Sequence, residues 1–340
     1  MPLLENPISA QRNLLAGKAL VNQPDLAVIQ VGGDDRKAWL HSLISQNING
    51  LQAGQSTEAL VLDANGRLES ILRVFEDGTS TWIITERGGF DQLLLWLRKM
   101  VFRSKVSVAA REDLALVASW GSSVESPTPL FAWTDNWLSP APGGHRYGQA
   151  PSEPWGLVLN VLTTGEAAGL LANANVDWAP EAALDALRIA AHRPSVAELD
   201  EKSIPHELDL LASAVHLTKG CYRGQETVAK VHNLGHPPRR LVLLHLDGSG
   251  HLLPEIGDEV VIPATDGEAK VVGRVTSAAT HHEAGPMALA VISRTTDVAA
   301  ELAVIGAHES ISATQEVIVP TDAGKVANLP RPGMLGRPRR

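Results

Sequence analysis

Residues 218–230, Thr-Lys-Gly-Cys-Tyr-Arg-Gly-Gln-Glu-Thr-Val-Ala-Lys, place the only cysteine of a 340-residue chain among two cations, two glycines and a Gln-Glu pair. A lone buried cysteine normally sits among aliphatic residues and behaves as a small hydrophobe. Cys221 sits in polar, glycine-punctuated company. Lys219 and Arg223 flank it, and cations near a thiol favour the thiolate, the form that attacks electrophiles and binds metals. Gly220 and Gly224 allow the backbone to turn sharply or to approach a ligand closely. The alternative is a structural thiol held in a tight turn.

A chain of 340 residues is too long for one core, so two or three domains are expected. Its hydrophobic fraction, 44%, fits a soluble globular protein, and no apolar run reaches the length of a bilayer span. Met1-Pro2-Leu3-Leu4-Glu5-Asn6 lacks the basic and apolar regions of a secretory signal. One cysteine forms no internal disulfide, which fits a reducing cytoplasm. The formal charge of −9 argues against a broad nucleic-acid-binding face. The exception is a flexible basic tail, 323–340, which ends in an Arg-, Pro- and Gly-rich run unable to bury a core.

Leu26–Val31 reads as a strand, Gly32-Gly33 as a turn, Asp34 as an N-cap, and Trp39, Leu40, Leu43 and Ile44 as one helix face. The dinucleotide fingerprint Gly-x-Gly-x-x-Gly is absent. Strands are expected at Glu58–Asp63, Ile71–Glu76, Ser80–Glu86 and Val106–Ala110, with a helix through Phe90, Leu93, Leu94, Leu97 and Val101, and Leu114–Trp120 is another apolar run. Residues 121–154 read as a long irregular segment. Gly156–Thr163 is a further strand and Gly165–Leu171 a short helix. Pro180 opens a helix with Leu184, Leu187, Arg188 and Ala191 on one face, which Pro194 ends. From Arg240 the chain breaks into short β runs, at Leu241–Leu246, Glu259–Ile262, Lys270–Ser277, Ala288–Ile292 and Glu316–Val319. These predict a small barrel or sandwich. The whole predicts an α+β protein of mostly antiparallel sheet.

The run Lys219-Gly220-Cys221-Tyr222, followed by Gly224-Gln225-Glu226, resembles the signature of the YgfZ-type folate-binding proteins, relatives of the glycine-cleavage T-protein. Leu187-Arg188-Ile189, Ile204-Pro205-His206-Glu207 and Val272-Gly273-Arg274-Val275-Thr276-Ser277 extend the resemblance over nearly the whole chain. It implies a T-protein-like architecture. Two interleaved α+β subdomains would occupy 1–238, and a C-terminal β-barrel, 239–322, would close a central channel. It also implies binding of tetrahydrofolate or another reduced folate, and support of iron–sulfur enzymes or their assembly factors, tRNA-modifying ones among the candidates. The expected site comprises Lys219, Gly220, Tyr222, Arg223, Gly224, Gln225, Glu226, Arg188, Arg240 and Asp63, with Cys221 as the reactive thiol and no metal.

Each residue has a chemical reason. Arginine suits bidentate pairing with a folate's glutamate carboxylates, which applies to Arg188, Arg223, Arg239 and Arg240. Glu226 would accept from a pterin or anchor its loop; Gln225 would anchor it through both amide groups. Tyr222 would line the channel or the core. Cys221 would act as nucleophile or as one ligand to a passing cluster, which it cannot hold alone. A nucleophile needs a base, and His206, His216 and His232 are near in sequence. Asp63-Ala64-Asn65-Gly66-Arg67 aligns with a channel loop of the family and is also a hairpin turn in its own right. Ser45-Gln46-Asn47-Ile48 aligns with another. His232 and His236 form no helical ligand pair, because Gly235, Pro237 and Pro238 interrupt the chain.

The true aminomethyltransferases resemble this chain but carry carboxylates where it has Ser70 and Ala190; a one-residue shift would put Glu69 in the first place. A hydroxyl does not replace a carboxylate as base. The alternative to a non-enzymatic folate protein is a tetrahydrofolate-dependent aminomethyltransferase or demethylase. A third reading is an interaction scaffold with a vestigial channel. No membrane partner is expected, and nucleic acid only through the tail.

Overall fold

A computed structural model describes residues 3–250, 252–264, 268–306 and 310–327; the expected basic tail lies outside the described residues from 328 onward. The chain opens with helix α1 (Pro7–Leu15), capped by the Asn6 side chain, and strand β1 (Ala19–Asn22). Then come β2 (Leu26–Gly32), α2 (Arg36–Leu43), β3 (Gln55–Leu62), β4 (Leu68–Glu76), β5 (Ser80–Glu86), α3 (Arg87–Met100) and β6 (Ser107–Ala110). Strands β2 to β6 form one antiparallel sheet, ordered β3-β4-β5-β2-β6. The period-two pattern of its residues separates two cores. Ile29, Val31, Leu72, Val74 and Ile83 face out, where α2 and α3 cover them with Trp39, Leu40, Leu93 and Leu97. Val28, Leu60, Phe75, Trp82 and Ile84 face the centre of the molecule.

The second sheet uses β1, β7 (Leu114–Trp120), β8 (Phe131–Thr134), β9 (Leu157–Thr163) and β10 (Asp177–Trp178), in the order β10-β1-β7-β9-β8. Its inner residues Leu116, Ala118, Leu159 and Val161 meet the inner face of the first sheet, and Phe75 stacks on Phe131 with ring centroids 4.8 Å apart. Helix α4 (Thr164–Ala172) covers the outer face and starts with a capping box between Thr163 and Glu166. Because β1 precedes the entire first sheet in the chain, the two subdomains are interleaved.

Helices α5 (Glu181–Ala190), α6 (Leu211–Ala214) and α7 (Gln225–Leu234) lead to the barrel. Its strands are β11 (Arg239–Leu246), β12 (Glu259–Ile262), β13 (Lys270–His281), β14 (Gly285–Ser293), β15 (Leu302–Ile305) and β16 (Ser310–Val317), closed in the order β11-β14-β13-β12-β15-β16. Val242, Leu244, Ala288, Ala290 and Ile292 fill it. The alternate residues Leu241, Leu243, Met287 and Leu289 join the central core, so one set of barrel strands supplies both interiors.

Several expectations change. The N-cap of α2 is Asp35, not Asp34, and the Asp35 carboxylate accepts from the Lys105 backbone N–H at 2.7 Å instead of capping. The irregular 121–154 segment contains β8. Strand β15 (Leu302–Ile305) is an addition to the expected runs, and β16 starts earlier than expected because Ser310-Ile311-Ser312-Ala313-Thr314 carries little apolar signal. Helix α5 stops at Ala190, ahead of Pro194, because His192 adopts a left-handed φ of 55°. The motif is half helix: α7 begins at Gln225.

Asp209 shows how tightly the connection between α5 and α7 is built. It has a left-handed φ of 56°, accepts from the Tyr147 backbone N–H at 2.9 Å and lies 3.8 Å from Arg146. Burial pushes its carboxyl up from 3.8 to about 7, in spite of that hydrogen bond and the Arg146 charge. A raised acid supplies stability that is complete below its unfolded value and lost as pH rises through its folded value. Asp209→Asn keeps the acceptor and tolerates the left-handed backbone. The variant should therefore gain on the parent in melting temperature as pH rises from about 5 to about 8. A difference that does not vary with pH would contradict this account.

Candidate functional site

A cavity of ≈ 300 Å³ opens where the two sheets, α5 and the barrel meet. Ile71 and Arg73 of β4, Trp155 and Leu157 near β9, Leu184 and Arg188 of α5, and Ser277 of β13 border it. Its rim is acidic. Asp25, Glu86, Glu181 and Asp185 cluster there, and burial together with the charges of Asp185, Asp25 and Glu86 raises the pKa of Glu181. Arg73 answers part of that charge by pairing with Glu86 at 3.0 Å, while its Nη1 is buried and has no hydrogen-bond partner among the described residues.

Arg188 joins three elements at the cavity wall. It donates to Asp185 at 2.9 Å, to the Arg193 carbonyl at 3.0 Å, to Glu198 at 3.1 Å and to Ser277 Oγ at 2.9 Å. Burial alone would lower its pKa, but the Glu198 and Asp185 carboxylates hold it above the ordinary arginine value. Four of its N–H donors are thus engaged within the protein.

The deeper wall holds three residues that the sequence reading did not select. Arg193 donates through Nε to Asp135 at 2.9 Å and through Nη2 to Glu58 at 2.5 Å. Ser213 donates to the other Glu58 oxygen at 2.5 Å, and the Trp137 backbone N–H to Asp135 at 3.1 Å. The guanidinium lies 4.8 Å from the Trp137 ring centroid. Arg193 reaches this place because α5 ends in a Schellman turn, with His192 N–H bonded to Ile189 and Arg193 N–H to the Arg188 carbonyl. Glu58, Asp135 and Arg193 come from distant segments with no shared spacing; the only local sign was a charged residue directly before Pro194, just past a helix end.

The motif builds something else. Lys219 turns inward, and its ammonium donates to the carbonyls of His41, Ile44 and Gln46, the last two at 2.6 and 3.1 Å. These carbonyls lie at the C-terminal end of α2, where a helix leaves its acceptors unpaired. Burial pushes Lys219 down to about 8, so it is still cationic at neutral pH. Its Nζ also lies 5.1 Å from the Tyr222 ring centroid. Tyr222 is core-packed, and burial raises its hydroxyl pKa. Gln225 donates to the Lys219 carbonyl at 3.2 Å. Arg223 pairs with Glu69 at 3.0 Å on the surface, and Glu226 is exposed in the first turn of α7.

Cys221 is exposed. The two cations expected beside it are committed elsewhere, Lys219 to carbonyls and Arg223 to Glu69. Among the described residues no hydrogen bond joins Cys221 to a histidine. His206 is buried, bonds the Val228 carbonyl at 3.0 Å and is pushed down to about 4 by burial, while His232 bonds the Tyr147 hydroxyl at 2.8 Å. Asp63 holds the β3–β4 turn: its carboxylate accepts from the Asn65 and Arg67 N–H groups, each at 2.8 Å. Burial alone would raise its pKa, but these bonds bring it below the ordinary value. Arg240 is fully buried in the barrel, bonded to the Thr296 carbonyl and to Gln315. Arg239 pairs with Asp200 and Glu207. Of the expected site residues, Arg188 alone borders the central cavity; Ser70 and Ala190 do not border it. Among the described residues no group of three or more His, Cys, Asp or Glu is placed to hold a metal ion. No helix of the described residues is long and apolar enough to cross a membrane.

The glycines of the motif differ in what they allow. Gly224 has φ +84°, and a Cβ there would lie 2.7 Å from the Asp63 carbonyl oxygen and 2.9 Å from Gly66 Cα. A Cβ on Gly220 would meet nothing within 4 Å. Gly224→Ala should cost about 1–3 kcal/mol in urea unfolding by separating the motif from the β3–β4 turn. Gly220→Ala should stay within about 0.5 kcal/mol of the parent. Equal losses would remove the distinction.

No family model matches the sequence. Curated relatives do. The chain is 30% identical over 260 residues to the tRNA-modifying protein YgfZ of Klebsiella pneumoniae (strain 342), which covers 73% of this chain and 77% of that protein. It is 28% identical over 269 residues to the protein of the same name from Yersinia enterocolitica, covering 75% of this chain and 79% of the relative. Among solved structures, the glycine cleavage system aminomethyltransferase T from Bartonella henselae superposes with a TM-score of 0.71 over 93% of this chain and 89% of that one, at 18% identity. That likeness establishes the interleaved two-sheet and barrel fold. Sequence and fold together lead to one assignment: the chain belongs to the family of the tRNA-modifying protein YgfZ.

Proposed function

We propose that the protein binds a reduced folate, tetrahydrofolate, in the central cavity and acts in tRNA modification by supporting iron–sulfur enzymes. The observation that carries the folate reading is the cavity itself. It is enclosed by all three bodies of a fold shared with an aminomethyltransferase, and the cationic side chains of Arg73, Arg188 and Arg193 line it. A volume of ≈ 300 Å³ suits a ring system rather than a whole folate, so the glutamate tail would lie toward the rim. Arg73, which borders the cavity and keeps part of its side chain exposed, is the residue that would hold a tail carboxylate there; Arg188 has its donors committed to the protein wall. A bound reduced folate would supply one-carbon carriage at its ring nitrogens. The chain's own residues supply enclosure and fixed hydrogen-bonding groups.

Cys221 is proposed as the residue that meets the client protein. Its exposure favours contact with a partner over a packing role. A single thiolate completes another protein's cluster ligation or exchanges with its thiols, but holds no cluster alone. The relatives' name supports tRNA modification as the setting.

Titration with tetrahydrofolate, followed by tryptophan fluorescence or heat, should saturate well below about 1 mM, the range of −4 kcal/mol. Trp155 on the cavity wall provides the optical reporter. Absence of saturable binding to the folded protein would overturn the folate reading.

The protein should not turn over aminomethyl groups. Supplied with an aminomethyl-loaded lipoyl carrier and tetrahydrofolate, it should release no ammonia at ordinary enzyme rates of about 1 per second or faster. Release at such a rate would establish the transferase reading in spite of Ser70 and Ala190.

A further inference from the structure

We infer that the end of α3 and the loop after it form a contact site for single-stranded RNA. Phe102 is the stacking platform for a base, and Arg98, Lys99, Arg103 and Lys105 meet the phosphates on either side. The inference rests on the tRNA-modification reading for the choice of RNA among polyanions. None of these residues borders the central cavity or belongs to the cysteine motif.

Residues 92–110 carry four cations and no acid, in a chain whose formal charge is −9. Arg98 and Lys99 lie in the last turn of α3, where cations offset the unpaired helix carbonyls. That explanation stops at Met100, because Arg103 and Lys105 follow the helix. All four residues are exposed. Among the described residues none of the four is paired with a carboxylate. Arg98 donates instead to the Val108 carbonyl at 3.3 Å. Asp35 touches the loop, but it accepts from the Lys105 backbone N–H at 2.7 Å and leaves the ammonium free of it. With the exposed Asp34 it forms the negative edge of the patch.

Phe102 is held where a ring gains nothing from the fold. It is 84% exposed, and its φ of 43° lies in the left-handed region, where a bulky residue is an outlier. Glycine or asparagine is the ordinary residue for such a turn. The Arg103 guanidinium lies over one face of the ring, 5.2 Å from its centroid, and the exposure leaves the other face to solvent. The platform is fixed from beneath. The Ser104 N–H bonds the Val101 carbonyl at 2.9 Å, and the Trp39 indole N–H bonds the Met100 carbonyl at 2.9 Å.

A ring set among cations suits a polyanion that carries flat π faces. Bases stack on such rings with little regard to sequence, while the phosphates meet the cations. Free phosphate would use the cations and not the ring. Double-stranded RNA keeps its bases stacked inside the helix and offers the ring none. A membrane would need the apolar face of α3, and that face is spent: Leu93, Leu94 and Leu97 are buried against the sheet. The unpaired bases of an RNA loop or end meet both parts of the patch.

The test follows the fluorescence anisotropy of a short single-stranded RNA and of an unmodified tRNA transcript against the full-length protein. Both should bind at low salt. For the short RNA, log K should fall against log salt with a slope of about −3, the value for four contacts to a single strand. Phe102→Asn suits the left-handed backbone and removes the ring. It should weaken both RNAs by at least about tenfold without lowering the melting temperature, and Phe102→Trp should stay within about threefold of the wild type. Lys99→Ala combined with Lys105→Ala should reduce the salt slope by about 1.4. Changing the tail residues Arg331, Arg337, Arg339 and Arg340 to alanine should leave these effects in place. Binding that vanishes with the tail arginines and ignores Phe102→Asn would overturn the inference. So would a wild type that binds no RNA, or one that binds phosphatidylserine–phosphatidylcholine vesicles in its stead. Mass spectrometry of tRNA nucleosides from cells with and without the protein tests the setting separately. A difference there, with no RNA bound by the wild type, would overturn the inference and leave the tRNA-modification reading standing. No difference would overturn that reading whatever the patch binds.

Discussion

The Arg188–Glu198 pair is the joint on which the rest of the site depends. It lies between α5, the 3-10 turn Val196–Glu198 and the barrel strand β13, and both side chains are buried. Two ions taken from water cost several kcal/mol each, and an ion pair alone rarely recovers that. Here Glu198 also accepts from the Ser195 N–H and hydroxyl, from Thr276 and from Ser277. A carboxylate so fully hydrogen-bonded is satisfied without water, and its partners lie on two separate bodies of the fold. Because Arg188 also donates to the Arg193 carbonyl, the same joint fixes the backbone that carries Arg193 into the cavity.

The cysteine loop has a comparable anchor, and none of its residues borders the cavity. Lys219 and Tyr222 turn inward while Gly220, Cys221 and Arg223 stay outside. An ammonium set on helix-end carbonyls is a C-cap supplied by a remote part of the chain. The effect is a thiol displayed on a rigid base rather than on a floppy loop. The fold therefore carries two separate devices: a ring-sized cavity enclosed by three bodies, and a surface cysteine fixed by the end of α2.

Short runs rich in β-branched and aromatic residues, such as Ser80–Glu86, made strands legible; both faces of that strand are buried, so the signal lies in composition and in the turns on either side rather than in alternation. The first half of β16 was not legible, since a row of small polar residues holds too little pattern; β15, apolar throughout, went unread although β12 of equal length was read. The end of α5 was misplaced because the stop is a left-handed His192, a position where glycine is the usual sign. The motif was legible as a unit but not as a site. Nothing in Lys-Gly-Cys says that the lysine will bond carbonyls far away in the chain. Glu58, Asp135 and Arg193 stayed hidden for the same reason: their meaning arises from long-range closure, and each alone is an ordinary charged residue.

The interleaving of the sheets has a consequence for synthesis. The first sheet is one uninterrupted block inserted between β1 and β7, so it is complete as soon as β6 has left the ribosome. Its ends then stand where β1 and β7 pair, with Val21 opposite Ala118, and most of the loop-closure cost of that pairing has already been met by the block. On its other side β1 pairs with β10, Ala19 opposite Asp177. A nascent chain arrested before Asp177 therefore carries β1 as an open sheet edge, a template for pairing with a neighbouring chain.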